Sequence, residues 1–466
     1  MKVLLVFPEM SLKAPEQPLG ILYLAACLRE HGHEVAVVDM TPQGMDLPKL
    51  MDFMETFAPE VLGVSCMITT SQSGCAIAKA TRERFPEIVT IVGGPNATAW
   101  PDHFVTLGGF DYAFVGEGEV YFTEFVNRLA AGDPEADQTL GLVYVRDEKV
   151  VHNPRAPRIT DLDSLPLPAR DLVDMSLYNH DSQYFISLGM IGKNFNIVLA
   201  RGCPFQCNFC DHSLFGYKPI ERSISSVLDE IQDVWERWRV PNMEIDDDTF
   251  TLKLDRVEEF CKGMHERGLS HIKWSARCRV SGVTPEIFQT MADAGCVHVS
   301  FGVESIDERV LKRIRKKITR EQVDNATRWA NQAGMHVVAN FMIGNLGDDE
   351  ASVMKSLDYA LQNDNIHVPS FTVITPLKNT EVYDEAMKNG WIRNTEWDHY
   401  NQKTVNMRNE ALSFEDIERL RQHIRTAIHT KVRRTMSEME RRWEEHMTVE
   451  DESDLTTPKT STQGVQ

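Results

Sequence analysis

The sequence has no uncharged apolar run near the roughly 18 residues that a membrane-crossing helix requires, so no membrane span is expected. It also lacks any surplus of positive charge. Its 49 Lys and Arg stand against 69 Asp and Glu, a formal charge of −20. Binding to a phosphate backbone draws on clustered cations, so the expectation is no nucleic-acid partner. The opening Met1-Lys2-Val3-Leu4-Leu5-Val6-Phe7-Pro8-Glu9 is too short and too quickly interrupted for a signal peptide, and a cytoplasmic location is expected. In that reducing compartment the nine cysteines are not a disulfide framework, and any that cluster point to metal or catalysis. No repeat at solenoid spacing is present. What remains is an ordinary globular composition, 42% hydrophobic and 25% charged, over 466 residues. That length has room for two or three domains at roughly 100–200 residues each.

The first 140 residues alternate short apolar runs with helical patterns. Residues 3–7, 34–39, 61–65, 90–94 and 112–116 read as strands, and a helix is expected from Gly20 to His31. Strands that are almost wholly apolar and alternate with helices predict a doubly wound parallel sheet, which binds ligands beyond the carboxyl ends of its strands. Those ends carry Ser65, Gly93-Gly94-Pro95 and Gly116-Glu117-Gly118-Glu119. Each glycine taken singly makes a tight turn. Together, at equivalent strand ends, they read as a cradle for a large cofactor.

Residues 141–190 read as a hairpin followed by a proline-rich crossing between domains (Pro154, Pro157, Pro166, Pro168). From 191 to 385 strand and helix alternate again. Six candidate strands, at 196–199, 243–245, 273–276, 298–301, 337–341 and 370–374, suit a partial (β/α)6 barrel. A helical extension is expected over 386–448. Ser413-Phe414-Glu415-Asp416 reads as a capping box, and Ile417, Leu420, Ile424, Ile428 and Val432 form one apolar stripe behind it. Lys431, Arg433, Arg434, Arg441 and Arg442 read as a solvated face. Residues 449–466 have no core-forming composition and are expected to be disordered. The fold class is therefore α/β throughout, with helices closing the chain.

The chemistry concentrates in Arg201-Gly202-Cys203-Pro204-Phe205-Gln206-Cys207-Asn208-Phe209-Cys210-Asp211-His212. Cys203, Cys207 and Cys210 form Cys-x3-Cys-x2-Cys directly after an apolar strand, and three thiols on one loop can converge on one metal centre. A closed zinc site prefers four ligands, often two Cys-x2-Cys knuckles, and there is no second knuckle; His212 is a weak fourth candidate. Three thiolates suit a 4Fe-4S cluster with one iron open to substrate or cofactor. Cys27, Cys66, Cys75, Cys261, Cys278 and Cys296 read as plain core residues.

This spacing, with Phe209 before the last cysteine, resembles the signature of the radical S-adenosylmethionine (SAM) enzymes. The resemblance covers about residues 190–385. It implies that SAM chelates the open iron and that one electron cleaves it to a 5′-deoxyadenosyl radical. It also implies a SAM site built from Phe209, from Asp247 and Asp248 at the second strand end, from Arg277 at the third, from Glu304 and Ser305 at the fourth, and from Gly344 at the fifth. Read from the residues alone, Asp248 or Thr249 is equally a helix N-cap, and Arg277 and Arg279 a surface pair. Leu346 stands where the family usually has proline, and Asn379 where it has glycine.

The N-terminal pattern, with Pro18-Leu19-Gly20-Ile21-Leu22-Tyr23-Leu24-Ala25 opening its first helix, resembles the cobalamin-binding members of that family. The resemblance implies a cobalamin site from Gly20, Ser65, Gly93, Gly94, Gly116 and Glu117. The Asp-x-His-x-x-Gly loop of other cobalamin proteins is absent, since no histidine lies between Phe7 and Gly20. Many radical SAM members lack it as well. The implied activity is C-methylation of a small-molecule substrate, with electrons from a low-potential donor such as flavodoxin or ferredoxin. The alternatives are a radical cyclase resembling the anaerobic magnesium-protoporphyrin ester cyclases, or an iron–sulfur electron carrier. The latter leaves the polar residues at successive strand ends unexplained.

Overall fold

The computed structural model describes residues 1–10, 16–180, 190–401 and 404–450. The first of two seven-stranded sheets contains β1 (Lys2–Phe7), β2 (Glu34–Asp39), β3 (Val61–Ser65), β4 (Val89–Gly93), β5 (Tyr112–Phe114), β6 (Leu142–Arg146) and β7 (Lys149–His152). Their order is β2-β1-β3-β4-β5-β6-β7, and the first five are parallel. The order reverses between β1 and β3, which opens a crevice at the carboxyl ends of the strands. The hairpin read from sequence before the proline-rich crossing forms as β6–β7, which pairs antiparallel with β5 and extends this sheet. An otherwise open edge of β5 is covered that way, and Leu142 and Val143 are buried.

The second sheet contains β8 (Asn179–His180), β9 (Gly192–Ile197), β12 (Asn242–Ile245), β13 (Lys273–Cys278), β14 (Cys296–Glu304), β15 (His336–Ile343) and β16 (Val368–Val373). A two-stranded ribbon, β10 (Ala200–Arg201) with β11 (Ile220–Glu221), interrupts the series. The six strands β9 and β12–β16 are parallel and lie in chain order, so they wind one way as a half-barrel, with β8 antiparallel at the β9 edge. One continuous apolar core runs from Leu22 and Phe125 beside the first sheet to Phe195 and Ile231 beside the second.

Buried polar contacts stitch the two sheets together. Gln17 donates its side-chain amide to the Asn194 carbonyl (3.1 Å), and Asn196 returns an amide bond to the Gln17 carbonyl (3.1 Å). Arg170 bonds the Gln17 side chain, the Asn196 carbonyl and Glu230, and Arg222 reaches the other Glu230 oxygen. Tyr178 donates to Asp39 at 2.9 Å. Burial pushes the Asp39 carboxyl up to about 7, against the bonds from Tyr178 and Thr41. Its unfolded pKa is near 3.9, so wild-type stability should fall as pH rises through that interval and level off above 7. Comparing wild type with Asp39→Asn in urea titrations at pH 5 and pH 8 should move the difference about 2 kcal/mol in favour of the variant. A difference independent of pH would show that Asp39 does not titrate in the folded state.

The long helix Phe414–Glu450 follows the expected cap. Asp416 donates its backbone N–H to Ser413 Oγ, and Ser413 donates its own to the Asp416 carboxylate, both at 3.1 Å. Ile417, Leu420 and Ile424 are buried against Ile343 and Val373. Lys431, expected on a solvated face, is instead buried. Its ammonium bonds the carbonyls of Ala360 (2.8 Å) and Asn363 (2.7 Å), at the C-terminal end of the helix Glu350–Gln362, where the dipole favours a cation. The side chains of Arg434, Arg441 and Arg442, and the expected disordered tail beyond Glu450, lie outside the described residues. No described helix is long and apolar enough to cross a membrane.

Candidate functional site

The three cysteines leave β10 on one loop at the barrel mouth. Gly202, immediately before Cys203, has φ +95°, and a Cβ there would stand 2.9 Å from the Phe215 carbonyl oxygen and 3.0 Å from that of Gly216. Only glycine lets the chain turn there. All three thiols are free. Cys203 Sγ lies 3.9 Å from Thr249 Oγ1, while the Cys207 and Cys210 thiols hydrogen-bond each other. Among the described residues no three Cys, His, Asp or Glu side chains already stand together as a finished metal site. The surroundings favour thiolate at Cys207, whereas burial raises Cys203 and the bond to Cys207 raises Cys210. The bond from Cys210, aided by Lys316 and Arg279, holds Cys207 well below the ordinary thiol range despite its burial. Arg279 also stacks on Phe205 within the loop, 3.8 Å from the ring centre. Three free thiols on one loop, beside two cations, fit an anionic iron–sulfur cluster as donor set.

The crevice of the first sheet opens beside this loop. It is an open groove lined by Ser65, Gly93, Gly94 and Gly116 at the strand ends and by Ile21 and Leu24 of the helix Leu19–Glu30. Gly94 has φ +92°, and a Cβ there would lie 2.9 Å from the Cys66 carbonyl oxygen. Gly93 has open space in front of it. Such a backbone-lined groove fits a broad planar macrocycle. Gly20 is exposed at the helix start and outside that lining. Glu117 does not face the groove with a free carboxylate. Its oxygens take Arg201 Nη1 (2.9 Å) and the Ile159 N–H (3.1 Å), while Arg201 Nη2 bonds Glu119 (2.6 Å). This buried seam joins the groove loop to the residue two positions before Cys203. On another side Trp100 lies under Lys378 Nζ (3.9 Å to the ring centre) and edge-on to Tyr383 (5.9 Å). The groove and the barrel mouth therefore share a rim.

Comparison with known proteins agrees with this arrangement. Residues 197–360 match the radical SAM superfamily, and residues 10–126 match the B12 binding domain. An uncharacterized methyltransferase of Pyrococcus horikoshii is 30% identical over 431 residues, 90% of each chain. The chain belongs to the radical SAM superfamily. Cytidylyl-2-hydroxyethylphosphonate methyltransferase of Streptomyces wedmorensis is 26% identical, covering 84% of this chain and 82% of its own. The fold matches that of the radical SAM methyltransferase TsrM from Kitasatospora setae, solved with cobalamin and a [4Fe-4S] cluster bound. The TM-score is 0.67 at 21% identity, covering 83% of this chain and 75% of that one. Radical SAM membership implies a 4Fe-4S cluster and SAM as cofactors, and the B12 domain implies cobalamin.

The residues that the radical SAM resemblance assigned to SAM fall into two groups. Four gather at the mouth. Phe209 is partly buried against Leu346 and Ile374, 6.0 Å from Lys316 Nζ. Asp248 accepts the Gly202 N–H. Arg277 pairs with Asp246 at 2.9 Å. Glu304 pairs with Lys316 at 2.8 Å, both being buried. The other three serve the scaffold. The Asp247 carboxylate accepts the backbone N–H groups of Leu199 (2.7 Å) and Ala200 (3.0 Å) and so holds the approach to the cysteine loop. Ser305 faces Ser356 (3.4 Å), and Gly344 lies beneath Ile417 of the C-terminal helix. Arg201 and Lys316 were missed as site residues, because their partners lie far along the chain or across a loop, and Arg279, open to reading as half of a surface pair, is buried. The only local signal was the Arg201-Gly202 step into the cysteine motif.

Proposed function

We propose that the protein is a cobalamin-dependent radical SAM methyltransferase that methylates an unactivated carbon of a small-molecule biosynthetic intermediate. The observation that carries this reading is the shared rim, where Arg201 joins the glycine groove to the cysteine loop through Glu117 and Glu119. Cys203, Cys207 and Cys210 would hold the cluster, and Ser65, Gly93, Gly94 and Gly116 would line the cobalamin site. When bound, the cluster with SAM supplies a hydrogen-abstracting radical and cobalamin supplies a methyl carrier. The chain's own residues do the positioning. Lys316 and Arg279 set cationic charge beside the thiols, Glu304 and Arg277 offer polar groups at the mouth, and the Trp100–Tyr383 rim limits access by water. A low-potential reductant such as flavodoxin or ferredoxin would deliver the electrons.

The test uses protein reconstituted anaerobically with iron, sulfide and cobalamin, then given SAM and a reductant. Both 5′-deoxyadenosine and S-adenosylhomocysteine are expected by mass spectrometry, the second only when cobalamin is present. Deoxyadenosine alone would replace methyl transfer with a cyclising or rearranging reaction. Neither product, with the cluster intact, would point to electron transfer.

A further inference from the structure

Arginine keeps its charge at every working pH, so a guanidinium buried without an anion beside it is costly. The buried cations around the cysteine loop differ in this respect. Arg201 is paired with Glu117 and Glu119, and Lys316 with Glu304. Arg279, directly after β13 and only 7% exposed, has no carboxylate partner among the described residues. Its Nε donates to Ser281 Oγ (2.9 Å), and its Nη2 donates to the carbonyls of Lys316 and, at 3.5 Å, of Lys317. The guanidinium stacks on Phe205, 3.8 Å from the ring centre and two residues before Cys207. None of these partners carries a negative charge.

Those partners are themselves fixed against the loop. Asn208, next to Cys207, donates its backbone N–H to the Ile314 carbonyl (3.3 Å) and its side-chain amide to the Arg313 carbonyl (3.1 Å). The segment Arg313–Lys317 therefore straps the cysteine loop. Arg315 and Lys317 hold φ +57° and +52°, left-handed values that turn the strap between the helices Glu308–Arg313 and Arg320–Gln332. Two carboxylates secure it from the helix Glu381–Lys388. Arg313 reaches both Glu385 oxygens (2.5 and 2.6 Å), and Arg315 both Glu381 oxygens (2.6 Å each). Arg279 is thus held against the loop by neutral groups, and its charge is left over for an anion that the loop carries.

Building on the proposed function, in which Cys203, Cys207 and Cys210 hold the cluster, we propose that Arg279 is the cluster's counter-charge and raises its reduction potential. The low-potential donor gives up one electron, no bond is made or broken and no proton is needed, so one negative charge is added beside the guanidinium. A fixed cation there favours the reduced form. The test is a redox titration of anaerobically reconstituted holoprotein without SAM, following the paramagnetic signal of the reduced cluster. Arg279→Gln and Arg279→Met should each make reduction about tenfold harder, a potential about 59 mV lower. Arg279→Lys, which keeps the charge, should restore most of the wild-type value. Lys312→Gln, at an exposed position near the strap, should not shift it, because solvent and salt screen a surface charge.

Folded, iron-loaded Gln and Met variants at the wild-type potential would overturn the proposal, and weakened SAM binding in them would assign Arg279 to SAM instead. A Lys variant as low as the Gln variant would trace the shift to lost packing and overturn it too. Iron lost in Gln and Met but retained in Lys would support the counter-charge. Loss of iron, or of fold by circular dichroism, in all three would make Arg279 a structural clamp and overturn it. The titration needs no methyl transfer, so its failure leaves the proposed function standing. Wild-type protein without a reducible cluster would instead defeat that reading first.

Discussion

Replacing any one of Cys203, Cys207 or Cys210 with alanine is expected to abolish SAM cleavage, a loss of at least roughly a thousandfold, or about 4 kcal/mol of barrier. Each thiol is one of only three that the loop can offer to a cluster. His212 stacks on Tyr217 (4.2 Å) and supplies no evident replacement. The folded scaffold should survive, because none of the three thiols, the buried Cys207 included, belongs to the apolar clusters that line the two sheets. Deoxyadenosine release and iron content would be measured together with circular dichroism. Wild-type cleavage by any of the three variants would defeat the cluster assignment. A variant that loses its fold along with its iron would instead mean that the thiols act as structural groups.

The second large effect should come from a residue far from the chemistry. Glu230 receives Arg170 on one oxygen and Arg222 on the other, both at 2.6 Å, and the Glu230 and Arg170 side chains are each only 2% exposed. Arg170 also reaches Gln17 and the Asn196 carbonyl, and Arg222 lies 3.3 Å from the Tyr23 hydroxyl, so this triad belongs to both sheets. Glu230→Gln would leave two buried guanidinium groups without a counter-charge, at a cost of about 3–5 kcal/mol in chemical denaturation. Replacing all three residues with apolar side chains of similar volume should recover most of that loss, because the desolvation cost is then removed as well. A loss under about 1 kcal/mol for Glu230→Gln would show that the arginines find other partners or water.

Much of the fold was legible because its signals are local. The apolar runs at 3–7, 34–39 and 61–65 correspond to β1, β2 and β3, and the six barrel runs correspond to β9 and β12–β16. The Ser413–Asp416 cap is a pattern four residues long, and the structure forms it as read. The cysteine loop is equally local, as is the string of glycines at strand ends. The hairpin itself was legible, but its pairing with β5 was not, because nothing within residues 142–152 shows that β5 needs a partner. Lys431 was misread because the carbonyls it caps belong to a helix about 70 residues earlier.

By itself the sequence determined the kind of chemistry: three thiols at a spacing that one loop can close, glycines where strands end, and alternation that winds a parallel sheet. The tertiary structure decided which carboxylates remain available to a ligand. Glu117 is consumed by Arg201, 84 residues away, and Asp247 by the backbone of Leu199 and Ala200. A carboxylate looks the same in any sequence. Burial, register and the nearest opposite charge are long-range properties, and they alone settle whether it binds a neighbour or waits for a substrate.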